Sequence, residues 1–207
     1  MFDRIRELLE SRERRLAREQ ENNRVSHFDR AIETVLRHEG GFVNDPVDPG
    51  GATNWGISLR YLKARGDLIG DGWDDGDLNK DGKVDIIDIK MMTREQAIWL
   101  YRTGFWDRHG YENITDYYVA EKAFDMGVNM GTVQAGRLVQ RAANHFGKRL
   151  TVDGILGPMS IAAINSIEPR FLLREIRFNH INFYLTLIER RPELGRFRNG
   201  WLRRASE

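Results

Sequence analysis

Apolar side chains recur at helical spacing along much of this chain, and the first clear case begins at Ser26. Ser26 is a suitable N-cap, and Gly40 with Gly41 is a suitable end, because glycine accepts the left-handed conformation that closes a helix. Glu39 lies seven residues after Ile32 and therefore shares its face. The pattern predicts a helix that carries a carboxyl group on its apolar stripe, whose other members are Phe28, Ala31, Ile32, Val35 and Leu36.

Later helices are marked by caps and prolines. A serine or threonine cap accepts the first amide hydrogens of a helix, and proline is tolerated at the first helical position because no amide hydrogen is needed there. The chain is therefore expected to be mainly α, with a basic aromatic tail after the last long helix. The signals predict helices that begin near Ser58, Thr93, Pro158 and Pro169, and others over residues 117–130 and 133–146.

The segment between the first two helices has a different character. Residues 45–46 and 48–51 are strong turn signals, and residues 53–57 are short and partly β-branched, as one strand of a small hairpin would be. An acid on an apolar face at the negative end of a helix loses hydration, and both effects favour the protonated form that a general acid needs. Glu39 fits this description. The competing interpretation is a solvated glutamate followed by an ordinary loop.

The residues around this turn follow a recognisable order: Glu39-Gly40-Gly41-Phe42, then Asp48, Gly50-Gly51, Thr53 and Trp55-Gly56-Ile57. This order resembles the signature of glycoside hydrolase family 108, phage endolysins and related muramidases. It is also similar to the phage lysozymes, in which a glutamate is the acid while an aspartate and a threonine hold the attacking water. The resemblance implies a lysozyme-like helical domain with a small β-hairpin by the active site, and substrate contacts from Phe42, Asn54 and Trp55.

The activity that the resemblance implies is hydrolysis of the β-1,4 bond between N-acetylmuramic acid and N-acetylglucosamine in peptidoglycan. Glu39 would protonate the leaving oxygen, while Asp48 with Thr53 positions water on the opposite face, as an inverting pair requires. Asp45 remains an alternative to Asp48 as the second carboxylate. Two other hypotheses stay open. One is a lytic transglycosylase acting on the same bond, and the other is a non-catalytic peptidoglycan-binding envelope protein.

Residues 77–88 have the register of a calcium-binding loop. Oxygen-bearing side chains occupy positions one, three, five, nine and twelve, and Gly82 makes the bend at position six. The twelfth residue is Asp instead of Glu and no clear helix precedes the loop, so it resembles a dockerin-type loop more than a paired EF-hand. We predict a structural Ca²⁺ and no organic cofactor, the alternative being a bare acidic loop. The predicted ligands are Asp77, Asn79, Asp81, the carbonyl of Lys83, Asp85 and Asp88.

The C-terminal half carries a second resemblance. Asp153-Gly154 followed by Gly157-Pro158 resembles the turn of peptidoglycan-binding helical modules, including the C-terminal module of family 108 proteins, and implies that Asp153 contacts substrate. Residues 123–131 resemble the helix that backs the substrate groove of that family, where Asn129 would bind a sugar N-acetyl group; packing is the alternative. The predicted domains are a charged N-terminal extension (1–24), a catalytic region (25–115) and a helical peptidoglycan-binding region (116–207).

Charge nearly cancels over the 207 residues, with 32 Lys and Arg against 31 Asp and Glu, so nothing argues for a nucleic-acid partner. Nine Arg against four Glu in residues 170–207 make that end, or the N-terminal segment, a candidate for contact with an anionic outer envelope. There is no cysteine and no standard signal peptide. We expect synthesis in the cytoplasm of a bacterial host, export with a holin-like or other helper, and action on the cell wall in the periplasm.

Overall fold

A computed structural model describes residues 27–37, 40–44 and 51–207. The predicted extension 1–24 and the predicted cap Ser26 lie outside these residues. Helices dominate the described chain, so the predicted mainly α class is confirmed, and none of them is long and apolar enough to cross a membrane. The helices are α1 (27–37), α2 (Leu59–Lys63), α3 (Ile86–Met91), α4 (Arg94–Tyr101), α5 (Tyr117–Met130), α6 (Thr132–His145), α7 (Pro158–Asn165), α8 (Pro169–Arg190) and α9 (Arg198–Ser206); the strands are β1 (Thr53–Asn54) and β2 (Ile57–Ser58).

The described residues divide into two compact units. Those between 32 and 104 form one, which we call the hairpin unit, and residues 27–31 with 105–207 form the other, which we call the helical unit. A π-helical turn covers Arg102–Trp106, and 3₁₀ turns cover Tyr111–Asn113 and Pro192–Phe197. The domain limits predicted from the sequence stay predictions.

The hairpin exists but is shorter than the sequence suggested. Thr53 pairs with Ser58 in an antiparallel register, so residues 53–58 contain two strands of two residues each, where the sequence predicted a single strand over 53–57. The turn explains the difference. Trp55 and Gly56 have positive φ angles of 51° and 77°, which is the conformation of a tight two-residue hairpin loop. Strands this short leave no alternating pattern for the sequence to reveal.

Two predicted helix starts of the hairpin unit are confirmed. The Ser58 hydroxyl accepts a hydrogen bond from the Tyr61 amide at 3.1 Å and begins α2. Thr93 and Gln96 form a reciprocal capping box at the start of α4, with distances of 2.9 and 3.2 Å. These caps begin short helices whose inner faces reach a small core. Its largest fully buried side chains include Ile57, Leu62, Ile89 and Leu100.

The helical unit is built on α5, α6 and α8, and α5 covers the residues predicted for it. Its core contains a cluster of aromatic rings. Trp106 meets Phe124 edge-on with ring centroids 5.3 Å apart, and Tyr111 and Phe28 lie within about 6 Å of Phe124. All four side chains are at most 1% exposed. Pro158 and Pro169 stand at the starts of α7 and α8, as predicted.

The turn that precedes α7 packs against α6 through two glycines. A Cβ atom on Gly136 would lie 2.1 Å from the carbonyl oxygen of Gly154, and one on Gly154 would lie 2.3 Å from that of Val133. Gly154 also has a φ of +92°. Since real Cβ atoms do not approach backbone so closely, the two segments require glycine at both positions.

The chain after α8 is helical, where the sequence predicted only a basic aromatic tail. The Trp201 ring of α9 stacks on Tyr184 at 4.7 Å, and Arg204 pairs with the buried carboxylate of Asp125 at 2.9 Å. Lys122 donates to the Arg204 carbonyl at 2.7 Å. These tertiary contacts hold α9 on the helical unit, and they are invisible in a segment whose own sequence is mostly charged.

His180 lies on α8 beneath these groups and is 0% exposed. Among the described residues neither of its ring nitrogens has a hydrogen-bond partner. Burial, with the nearby charges of Lys122 and Arg204, lowers the pKa of His180 to about 3. The helical unit therefore contains a neutral base that cannot be protonated without cost.

Candidate functional site

Three of the predicted catalytic positions lie outside the described residues: Glu39, Asp48 and the alternative Asp45. The structure does describe the chain before and after these positions, namely residues 27–37, 40–44 and 51 onward. Residues 32–37 of α1 carry the apolar stripe on which Glu39 is predicted to lie, and its members Ile32, Val35 and Leu36 are at most 8% exposed. The stripe is thus a buried face, as the sequence indicated.

Thr53, the third predicted catalytic residue, is part of a backbone bridge. The Val43 amide donates to the Thr53 carbonyl and the Thr53 amide donates to the Val43 carbonyl, each at 2.8 Å. This bridge joins the segment after Glu39 to strand β1 and closes the loop that contains Asp48. The Thr53 side chain is half-buried.

Trp55, a predicted substrate contact, adopts a backbone conformation that side chains seldom take. Its φ of 51° is in the left-handed region, and its carbonyl accepts a hydrogen bond from the hydroxyl of the buried Tyr101 at 3.0 Å. Such residues persist only where the surroundings enforce them, and they cluster at binding and catalytic sites. The backbone that carries the half-buried indole is therefore held by its surroundings.

The other two predicted contacts of this unit differ in accessibility. Phe42 is 42% exposed, so part of its ring is open to a ligand, and the Lys90 ammonium lies 5.8 Å from the ring centroid. Asn54 is 7% exposed, and its amide nitrogen donates to the Ile89 carbonyl at 2.9 Å. The structure thus gives Asn54 a packing role between β1 and α3, and its contact with substrate stays a prediction.

The acidic loop from Asp77 to Asp88 is ordered by its own carboxylates. Asp77 accepts the amides of Asp81 and Gly82 at 3.1 and 2.7 Å. Asp88 is 0% exposed and accepts three amides, those of Leu78, Asn79 and Asp85, at 2.9, 3.2 and 2.8 Å. Asp85 caps α3, which follows the loop. The loop therefore has a defined turn structure that is held by side-chain acceptors.

The donor set of this loop has the chemistry that Ca²⁺ prefers, namely carboxylate and amide oxygens with a backbone carbonyl at Lys83. Within residues 27–37, 40–44 and 51–207, however, no three His, Cys, Asp or Glu side chains are gathered in a way that holds a metal ion. The Asp88 oxygens are instead turned toward backbone amides. Calcium binding by Asp77, Asn79, Asp81, Lys83, Asp85 and Asp88 thus stays a prediction that depends on the sequence register.

In the helical unit, Asn129 is half-buried near the end of α5, and its carbonyl oxygen accepts a hydrogen bond from the Tyr184 hydroxyl. Burial raises the pKa of Tyr184 to about 12, so this hydroxyl remains a donor at physiological pH. This hydrogen bond uses only the carbonyl oxygen of the Asn129 side chain. The amide nitrogen is the atom predicted to bind an N-acetyl group. That role stays a prediction.

Asp153 organises the turn before α7. Its exposed carboxylate accepts hydrogen bonds from the Gln140 side chain and the Ile155 amide, both at 2.8 Å, and these two bonds lower the pKa of Asp153. A cavity of about 300 Å³ adjoins the turn and is lined in part by Asp153, Arg149 and Met159. Asp153 therefore lies beside a space that a ligand can enter, although its own carboxylate is engaged.

Gln140 was missed by the sequence reasoning. It is 1% exposed, donates to Asp153 and to the Ile155 carbonyl, and accepts from the Gly154 amide at 2.8 Å. The sequence feature that could have revealed Gln140 is its position directly after Val139, in the apolar pattern of α6. Since buried amides need partners, such a residue predicts that a turn docks there.

A mainly helical chain with a short two-stranded hairpin agrees with the lysozyme-like fold that the sequence predicted. The family comparisons agree with that class. Residues 32–131 match the model described as Glycosyl hydrolase 108, and residues 134–206 match the model described as Predicted Peptidoglycan domain. The chain therefore carries a Glycosyl hydrolase 108 region followed by a C-terminal peptidoglycan domain, which confirms the resemblance seen in the sequence. It is therefore a glycoside hydrolase of the peptidoglycan-hydrolase type, and peptidoglycan is its partner.

Among solved structures, that of Brucella abortus SagA is similar to this chain. The two share 24% sequence identity, the match covers 86% of this chain and 89% of that chain, and the TM-score is 0.66. At this identity the likeness shows a common fold. A search of curated proteins gives no match.

Proposed function

We propose that the protein is a muramidase that cleaves the β-1,4 bond between N-acetylmuramic acid and N-acetylglucosamine. Glu39 acts as the general acid that protonates the leaving oxygen, and Asp48 with Thr53 positions the attacking water. An inverting pair of this kind needs its carboxyl groups about 6.5–9.5 Å apart, so that a water molecule fits between the second carboxylate and the sugar.

The observation that carries the proposal is the bridge between Val43 and Thr53. Glu39 precedes Val43 by four residues, and Asp48 is five residues from either side of the bridge. An extended chain spans at most about 3.6 Å per residue, which keeps the Glu39 backbone within about 14 Å of the bridge and that of Asp48 within about 18 Å. All three groups are thus tethered to one end of the hairpin, which supports a common site.

The environment of the acid supports its role. The apolar stripe of Ile32, Val35 and Leu36 is buried up to the last described residues of α1. A carboxyl group that continues this stripe loses hydration, which favours its protonated form. The match of residues 32–131 to glycosyl hydrolases supports hydrolysis over the hypothesis of a non-catalytic envelope protein.

The test is Glu39→Gln, which keeps the shape of the side chain and removes the transferable proton. We expect the rate of turbidity loss of purified sacculi to fall by about 10²–10⁴, the usual contribution of a general acid, with an unchanged melting temperature. Asp48→Asn is expected to be severe and Thr53→Ala milder. The matched control is Glu33→Gln, which changes an exposed glutamate on α1 and is expected to keep the rate.

Mass spectrometry of the released fragments separates the mechanisms. Hydrolysis leaves reducing ends on N-acetylmuramic acid, whereas a lytic transglycosylase leaves 1,6-anhydro ends because the sugar's own hydroxyl attacks. Reducing ends are expected. Anhydro ends would replace the hydrolytic mechanism by the transglycosylase, and near-normal lysis by Glu39→Gln would exclude Glu39 as the acid.

A further inference from the structure

Helices α6 and α8 leave an open groove between them, with a volume of about 390 Å³. We call it the α6–α8 groove. One face of each helix lines it, since residues 134, 138 and 141 of α6 and residues 179, 182, 183, 186, 187 and 190 of α8 follow helical spacing. The whole groove lies within the residues that match the peptidoglycan domain.

The groove is lined by amides and arginines whose hydrogen-bonding groups the fold does not use. Within the described chain, none of five lining side chains makes a side-chain hydrogen bond or an ion pair. Gln134, Asn179 and Asn182 are half-buried, and Arg141 and Arg190 are exposed, so a ligand in the groove can reach their polar groups. The groove therefore keeps donors and acceptors for a ligand. The five side chains are Gln134, Arg141, Asn179, Asn182 and Arg190.

Positive charge stands at both ends of the groove. His145 of α6 lies 3.8 Å from Glu175 of α8, and Arg141 is one helical turn before His145, so Arg141 marks the end near Asn179. Arg190 marks the other end. Eleven residues of helix separate Asn179 from Arg190, a rise of about 16 Å. An extended peptide of about five residues has this length.

We propose that the α6–α8 groove binds the stem peptide of peptidoglycan. A stem peptide is short, offers a peptide amide at every residue, has small methyl side chains and carries free carboxylates. The amides of Asn179 and Asn182 pair with its backbone, Phe183 and Leu187 contact its methyl groups, and the arginines bind its carboxylates. This inference rests on the proposed function, because it takes peptidoglycan as the substrate, but it concerns a site other than the point of cleavage.

The charge of the groove favours the peptide over the glycan strand. In intact peptidoglycan the lactyl carboxyl of N-acetylmuramic acid is bound in an amide to the stem, so the glycan backbone itself is neutral. Two arginines without a protein partner, at opposite ends of a peptide-length groove, match the carboxylates of the stem and have no counterpart on the sugars. The glycan strand is then the ligand of the hairpin unit.

The test is isothermal titration of the full chain with the soluble stem tetrapeptide that an amidase releases from sacculi. We expect saturable binding that Arg141→Gln and Arg190→Gln each weaken by about tenfold, the value of one charge-assisted hydrogen bond. Asn182→Asp puts a negative charge inside the groove and is expected to weaken binding at least as much. The control is Arg174→Gln, an exposed arginine of α8 outside the groove, which is expected to change the Kd by less than twofold.

A chemical variant of the ligand sharpens the test. Amidation of the peptide carboxylates should weaken binding to the wild-type protein and abolish the difference between wild type and the two arginine variants. Equal binding by all variants, or binding of chitin oligosaccharides at this site instead of the peptide, overturns the proposal, as does an absence of peptide binding. Sacculus lysis by the same wild-type sample reports the proposed function separately, so the two can fail independently.

Discussion

The hairpin unit and the helical unit differ in the length of their elements and in the contacts that hold them. Helices α2, α3 and α4 have five, six and eight residues, whereas α5, α6 and α8 have 14, 14 and 22. Helices as short as α2, α3 and α4 are unstable alone in water. In the hairpin unit, carboxylates such as Asp67 and Asp88, which each accept three backbone amides, replace the missing regular structure. In the helical unit, the long helices pack around a cluster of buried rings.

We infer that this difference separates the proposed catalytic site from the part of the chain that supports it. Loops fixed by polar groups can present acids, a threonine and an indole at defined positions around a small space. Long helices cannot bend closely enough to do so, but they bury apolar area, which stabilises a domain by about 25 cal/mol per Å². We therefore expect the two units to respond to different perturbations. The hairpin unit depends on its acceptors and the helical unit on its buried groups.

The largest expected effect is acid sensitivity of the helical unit through His180. Its pKa is lowered from about 6.5 to about 3 in the folded protein, so the unfolded chain takes up a proton first as the pH falls. The stabilisation is complete above the unfolded pKa and is lost as the pH falls toward 3. This amounts to about 3 kcal/mol between pH 7 and pH 4. Urea unfolding at the two pH values measures the loss.

His180→Phe and His180→Leu remove the titrating group and are expected to abolish that part of the pH dependence, whatever their stability at pH 7. His145, which is exposed on α6, provides the control His145→Gln. An unchanged pH dependence in both His180 variants would contradict the assignment.

An effect of similar size is expected from the loss of an acceptor in the hairpin unit. Asp88→Ala leaves three amides without the carboxylate that accepts them, and each such loss costs on the order of 1 kcal/mol or more. We expect the free energy of unfolding to fall by about 3 kcal/mol in chelator, where any metal is absent. Asp88→Asn should cost less, because its carbonyl oxygen still serves two of the amides. Asp71→Ala removes an exposed carboxylate that accepts one amide, and a loss as large as that of Asp88→Ala would contradict this account.

The smallest of the three effects is calcium binding by the same loop. A cation that binds only the folded state stabilises it by about 2.7 kcal/mol at a hundredfold excess over its Kd. We expect a higher melting temperature in millimolar calcium than in chelator, and no such difference in the double variant Asp77→Asn with Asp81→Asn. Identical melting curves of the wild type in both solutions would reduce residues 77–88 to a solvated acidic turn.

The sequence revealed those elements whose causes are local. The Thr93 and Gln96 capping box, Pro158 and Pro169 at helix starts, and the stripe of Phe28 to Leu36 each act over one or two turns, so a short window of sequence contains them. Helix α9 was missed because its order comes from Trp201 on Tyr184 and from Arg204 on Asp125, which are distant in the chain.

The two proposed binding surfaces differ in how far the sequence could predict them, for the same reason. The hairpin motif carried Glu39, Asp48 and Thr53 because they belong to one continuous signature. The α6–α8 groove joins residues about 45 positions apart, and Asn179 and Asn182 look like ordinary polar helix positions until α6 is placed beside them. The sequence did not reveal that α6 and α8 lie side by side, which is the information needed to predict the groove.

The contact between Gly136 and Gly154 has a consequence for evolution. A side chain at either position would push the turn at residues 153–157 off α6, and with it the bonds between Gln140 and Asp153. Neither glycine can be substituted while the turn keeps this position, so a related protein that lacks one of them must have a different turn. Across related peptidoglycan domains we therefore expect positions 136, 140 and 154 to be inherited as a set, and a sequence that keeps the Asp-Gly turn without a small residue in the preceding helix to have abandoned this docking arrangement altogether.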